Sequence, residues 1–183
     1  MNCLFPWLRS DRPRRSVSRA DHAGAVYGSL LASSVIATAS AVGDFPRIQV
    51  VALLLVTGLV FWAAHVYASL AGARLVGQPV GWAEVRGAAR HESLIVQAAV
   101  LPAMALAVSP LLGLEVKGAG WLALAVAVAQ QVAWALLGAL KAGASRSQAA
   151  VEGTVNLAFG LVIVAAKAAP RALRSVMPAS RHE

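Results

Sequence analysis

The sequence predicts an all-α fold, a polytopic transmembrane helix bundle of about five spans. Three observations carry this. Hydrophobic residues make up 58% of the 183 positions and charged residues only 13%, against about 25% charged in an ordinary soluble domain. The charges fall in short clusters. Between the clusters lie apolar runs of about 20 residues, the length that crosses ~30 Å of hydrocarbon at ~1.5 Å per residue.

Residues 1–22 form a basic arm carrying Arg9, Arg12, Arg14, Arg15 and Arg19, and Pro6 and Pro13 argue against a long helix there. The first span, about 23–42, is the least apolar. Val26, Leu30, Leu31, Val35, Ile36 and Val42 favour its insertion by only roughly 2–4 kcal/mol together. Ser29, Ser33, Ser34 and Ser40 reduce that margin. Gly24, Gly28 and Ala32 recur every four residues and offer a smooth face for close packing, so this span is expected to need its neighbours.

Gly43-Asp44-Phe45-Pro46 reads as a tight turn into a Leu- and Val-rich second span, about 48–70. In the longer loop that follows, Trp82, Val85 and Ala89 share a helical face and suggest a short interfacial helix. The third span, about 92–112, contains Pro102 and Pro110. Proline is tolerated in bilayer helices where neighbours satisfy the freed carbonyl, and a kink is expected. The fourth span covers about 119–140. The fifth covers about 151–169, with Pro170 as its stop, and a basic tail occupies 170–183.

The net charge of +8 does not indicate nucleic-acid binding, because the basic residues flank apolar spans and no stripe of Lys and Arg interleaved with stacking aromatics exists. A cytoplasmic N-terminus puts Arg74, Arg86, Arg90, Lys141 and Arg146 on the arm's side, and only Arg47 and Lys117 in the outer turns. That is the orientation expected in a plasma membrane. The tail runs against it, since five crossings leave Lys167, Arg171, Arg174 and Arg181 outside. Arg14-Arg15 ahead of Ala37-Thr38-Ala39 has the outline of a twin-arginine export signal, but the residues around the pair depart from its consensus. Cys3 is the sole cysteine, which excludes an intrachain disulfide and a thiolate metal site.

The candidate functional residues are the ionisable and amide groups that fall within spans, where burial is costly. His65, His91, Glu92, Tyr27 and Glu152 lie at similar depth toward the cytoplasmic end and would form a polar vestibule, an ion or proton path, if the helices converge. Gly58, Trp62, His65, Ser69 and Gly72 share one face of the second span. His65 either titrates there, paired with Glu92, or donates one hydrogen bond to a carbonyl and holds helices together. Glu92 and Glu152 also suit helix N-termini without any further role. Ser33, Gln97, Gln130, Gln131 and Asn156 lie deeper, as pore lining or as interhelical hydrogen bonds. Adjacent Gln130 and Gln131 point ~100° apart, so at least one faces another helix. No metal site is expected, since no ligand pair has i,i+4 spacing and H-E-x-x-H is absent: Ser93, Leu94 and Ile95 follow His91-Glu92. No G-x-S-x-G or phosphate loop occurs, and Trp62, Trp82 and Trp121 fit interfacial anchoring.

Four local patterns, Gly24-x-x-Tyr27-Gly28 with Ala32-Ser33-Ser34, Ala64-His65-x-Tyr67-Ala68, Gly72-x-Arg74-Leu75, and His91-Glu92 ahead of an apolar run with Pro102, carry a resemblance over roughly residues 20–168. The chain resembles small multi-span integral membrane proteins frequent in GC-rich Gram-positive bacteria, a group of unknown function. The resemblance implies a membrane class and no reaction. A fainter similarity links Phe61-Trp62-x-x-His65 to prokaryotic relatives of the lysosomal potassium channels, but Val26-Tyr27-Gly28 stands where those carry F-S-D.

Two functions are expected from these readings. One is a non-enzymatic bundle acting as a subunit or homo-oligomer, with the lipid bilayer and another membrane helix as its partners. The other is a small proton or cation channel or permease with its path near His65 and Glu92. Neither requires a cofactor.

Overall fold

The computed structural model describes the backbone of residues 13–43, 45–75 and 77–176, and the side chains of residues 23–169 apart from positions 44 and 76. Cys3, Pro6, Arg9, Arg12, Asp44 and Arg181 lie outside the described residues. Those described hold no strand. They form α1 (Pro13–Val42), α2 (Arg47–Leu75), α3 (Trp82–His91), α4 (Ser93–Val108), a 3-10 turn (Ser109–Leu112), α5 (Val116–Lys141) and α6 (Arg146–Val176). Five stretches are long and apolar enough to cross a bilayer: Ala23–Val42, Arg47–Leu75, Trp82–Leu112, Val116–Lys141 and Arg146–Ala169.

Two expectations about the ends are corrected. Residues 13–22 do not break from the first span but continue it as helix. Pro13 is the first helical residue, a position where its missing N–H costs nothing. At the other end α6 passes through Pro170 to Val176. A proline there removes the bond to the carbonyl four residues earlier and crowds that carbonyl, and water can satisfy the freed oxygen where a helix leaves the apolar layer.

The least apolar span is the central one. α1 packs against α5, α4, α6 and α2, and 44% of its most apolar window is buried, against 11% for α2. The cause lies in side-chain size. A Cβ at Gly28 would lie 2.9 Å from both Ala98 Cβ and the Ile95 carbonyl oxygen, so the backbones of α1 and α4 nearly touch. Gly24 faces Ile95 one turn earlier. The serines satisfy themselves within α1: Ser29, Ser33, Ser34 and Ser40 each donate to the carbonyl four residues back, at 2.8–2.9 Å. Ile36, Leu54, Leu106, Leu124 and Val128 complete a core otherwise built of alanines.

Three connections end in one device. Gly77, Gly113 and Gly143 hold φ of 74°, 67° and 83°. In each, the glycine N–H and the N–H after it reach back to the last turn: Gly143 N to Leu140 O and Ala144 N to Ala139 O, both 3.0 Å, close α5. Only glycine adopts this left-handed geometry without cost. Gly143→Val is therefore expected to destabilise by about 1–2 kcal/mol in thermal unfolding. Gly87→Ala, with open space around it on α3, should be neutral or slightly stabilising.

Lys167 corrects the count of tail charges. It is 2% exposed, inside the bundle, with Nζ 4.6 Å from the centre of the Trp121 ring. Gly120 makes the room, since a Cβ there would sit 3.2 Å from Nζ. Trp121 is thus a packing partner of a lysine and not a free interfacial anchor. Arg47, at the same end, donates from Nη2 to the Leu114 carbonyl.

Candidate functional site

The polar groups of the bundle form three sets. The deepest set joins helices. Gln130, on the α5 face toward α1 and α4, donates from Nε2 to Ser29 Oγ at 3.3 Å and to the Ala98 carbonyl at 3.2 Å. Gln131 is fully buried and points the other way, donating to the Asn156 carbonyl at 2.8 Å and approaching its Oδ1 at 3.4 Å. Asn156 in turn donates to the Glu152 carbonyl at 2.9 Å. Ser33 bonds to Ser29 O. The bonds of these four residues run between helices and within them.

Gln97 does not belong with them. It is exposed, and its amide reaches only Ser93 Oγ at 3.4 Å. The buried face of α4 runs through Ile95, Ala98, Ala99, Pro102, Ala103 and Leu106, and position 97 lies off that stripe.

The second set lies between α1, α2 and the α3–α4 junction. His65 is half-buried, with Nδ1 2.9 Å from the Phe61 carbonyl of its own helix. Its ring sits 5.4 Å from that of Tyr27, which also meets Phe61 edge-on at 6.1 Å. Glu92 links α3 to α4, and its Oε1 accepts from Ser69 Oγ at 3.2 Å. The expected His65–Glu92 pair is therefore replaced by two separate contacts, because the nearest carbonyl to His65 is one turn back on α2. His91, half-buried, closes α3. The shared face of α2 is inward at Gly58, which is buried against Ala99, and leaves the bundle by Ser69 and Gly72, both exposed. Trp62 ties α3 down, donating from Nε1 to the Ala89 carbonyl at 2.9 Å. Trp82 is 83% exposed, as an interfacial anchor would be.

The third set is a cleft of about 870 Å³ between α1, α5 and α6, at the end that bears the start of α1. Tyr27, Leu30, Trp134, Gln148, Glu152 and Asn156 line it among smaller residues. His65 and Glu92 do not. The single vestibule expected from depth alone is split by α1, and Tyr27 touches both sides. Trp134 and Gln148 were not singled out by the sequence. A signal did exist: Ala135, Gly138, Ala139, Ala142, Gly143 and Ala144 leave the end of α5 too small to fill the space beside it. Among the described residues, no group of three or more His, Cys, Asp or Glu could hold a metal.

Comparison with protein-family models, with curated proteins and with solved structures finds no match. What fold and site define is a class: an all-α, multi-pass membrane protein of five apolar helices that fit a lipid bilayer. Within that class, the engaged amides mark a bundle fastened at its centre and open at one end.

Proposed function

We propose that the protein is a non-enzymatic helix bundle of the plasma membrane, N-terminus cytoplasmic, that works by pairing with a second copy of itself. The observation that carries this is the contrast between its two faces. The central amide nitrogens fasten α5 to α1, α4 and α6, whereas only 11% of the window of α2, the most apolar span, is buried. Ala64, Ala68 and Gly72 recur every four residues on that exposed surface. A Cβ at Gly72 would meet nothing within 4 Å, so packing among the described residues does not explain the glycine. Small residues at this spacing let two helix backbones approach closely in lipid. The reading agrees with the resemblance to small multi-span membrane proteins, which implies no reaction.

The test uses the single native cysteine to advantage. In a Cys3→Ser background, Ala68→Cys is expected to give a disulfide-linked dimer on mild oxidation in membranes. Val162→Cys on α6, 67% exposed, should stay monomeric. Equal cross-linking at both positions, or none at Ala68→Cys with a monomeric mass in nanodiscs, would sink the proposal. The channel or permease reading is favoured by one observation, the cleft beside Glu152. His65 and Glu92 do not line that cleft.

A further inference from the structure

We infer that α3 docks on anionic phospholipid headgroups through an exposed row of Trp82, Arg86 and Arg90. Length places the helix. Residues 93–112, which are α4 and the 3-10 turn, already supply about 30 Å of rise, the thickness of the hydrocarbon layer. The 10 residues of α3 are therefore surplus to the crossing. Glu92 separates the two helices. Two bonds hold α3 and this junction against α2: Trp62 Nε1 donates to the Ala89 carbonyl at 2.9 Å, and Ser69 Oγ donates to Glu92 Oε1 at 3.2 Å. The row is thus fixed at the edge of the apolar layer before any lipid meets it.

The face of α3 sets the partner. Val85, Ala88 and Ala89 are partly buried, whereas Trp82, Arg86 and Arg90 are exposed. At ~100° per residue those three exposed positions span only about 80° of arc, and Glu84 lies about 120° or more from either arginine. Glu84 is also engaged, its Oε2 accepting from the Gly81 N–H at 2.9 Å. An indole heading a row of guanidinium groups suits the headgroup layer: the ring takes the interface, and the planar forks meet phosphate oxygens. The sign of the charge here holds on either count. Among the described residues of this end, Arg74, Arg86, Arg90, Lys141 and Arg146 outnumber Glu84, Glu92 and Glu152. The adjoining residues 1–22, whose side chains are not described, add Arg9, Arg12, Arg14, Arg15 and Arg19 against Asp11 and Asp21, and so reinforce it. A zwitterionic headgroup brings its own cation to this surface, whereas an anionic one brings only the complementary charge.

The surface does not depend on self-association, since the whole row comes from one helix of one chain. In a Cys3→Ser background, Gly87→Cys places a fluorophore on α3 where a side chain meets open space. The full chain is set in phosphatidylcholine nanodiscs with a small fraction of quencher lipid, either phosphatidylglycerol or phosphatidylcholine, spin-labelled at the same acyl carbon. At low salt, phosphatidylglycerol is expected to quench as the enriched lipid, with each arginine contributing about fivefold to the enrichment. Arg86→Gln and Arg90→Gln should each remove about that factor. Arg86→Lys and Arg90→Lys, which keep the charge, should retain most of it. Salt at about 1 M should bring the two lipids close to parity. Circular dichroism checks that the variants fold. Equal quenching by the two lipids with the native row overturns the inference. So does a preference that the double glutamine variant keeps, which would belong to the arginines of residues 9–19. A chain that stays monomeric yet gathers phosphatidylglycerol at α3 would remove the pairing proposal and leave this one standing.

Discussion

Gly28→Leu is expected to destabilise the bundle by about 3 kcal/mol, the upper end for over-packing. A Cβ at this position would already sit 2.9 Å from the Ile95 carbonyl oxygen and from Ala98 Cβ. Backbone cannot step aside as a flexible side chain does. The rest of a leucine would push α1 away from α4 and with it the bond from Gln130 to the Ala98 carbonyl. The measurement is reversible unfolding in mixed micelles under monomeric conditions. Gly72→Leu serves as the comparison, because nothing lies within 4 Å of its Cβ position, and it should change stability by no more than about 0.5 kcal/mol. Equal effects at the two glycines would mean that α1 and α4 do not pack as described.

Gln131→Ala is expected to cost about 3 kcal/mol and Gln131→Leu about 1 kcal/mol. The difference separates two contributions. Both variants lose the 2.8 Å bond to the Asn156 carbonyl. Only alanine also empties the space of a side chain with no exposed surface. Interhelical bonds in lipid contribute modestly, since the separated helices find other partners, whereas a void between helices forfeits contact atoms outright. The same unfolding assay reads both. A leucine variant as damaged as the alanine variant would show that the amide bond, and not the filled volume, fastens α5 to α6.

The spans were legible in the sequence because hydropathy and length act locally. Their depth order was not. The serines and glycines that made the first span look marginal in lipid are what suit it to the centre, where Ser29 and Gly28 face α5 and α4. The adjacent pair Gln130 and Gln131 was readable as at least one interhelical contact. The structure uses both, toward opposite neighbours, as their angular offset allows. The vestibule was not readable, since depth along a helix says nothing about azimuth around the bundle. His65 and Glu152 share a level and lie on different sides of α1. Pro170 reads as a stop by propensity, and the apolar span does end at Ala169, but the helix itself passes through to Val176.

The central place of α1 bears on how the protein is made. Among the five spans, the one made before the others is the one that lipid accepts least readily, and its partner Gln130 lies 101 residues further along the chain than Ser29. Once made, α1 must be sheltered by the insertion machinery, or wait at the membrane surface, until α4 and α5 emerge to receive it. A nascent chain halted before α5 would leave an incomplete bundle with its least apolar span facing hydrocarbon, a substrate for membrane quality control. Order of birth and order of assembly are thereby inverted in this molecule.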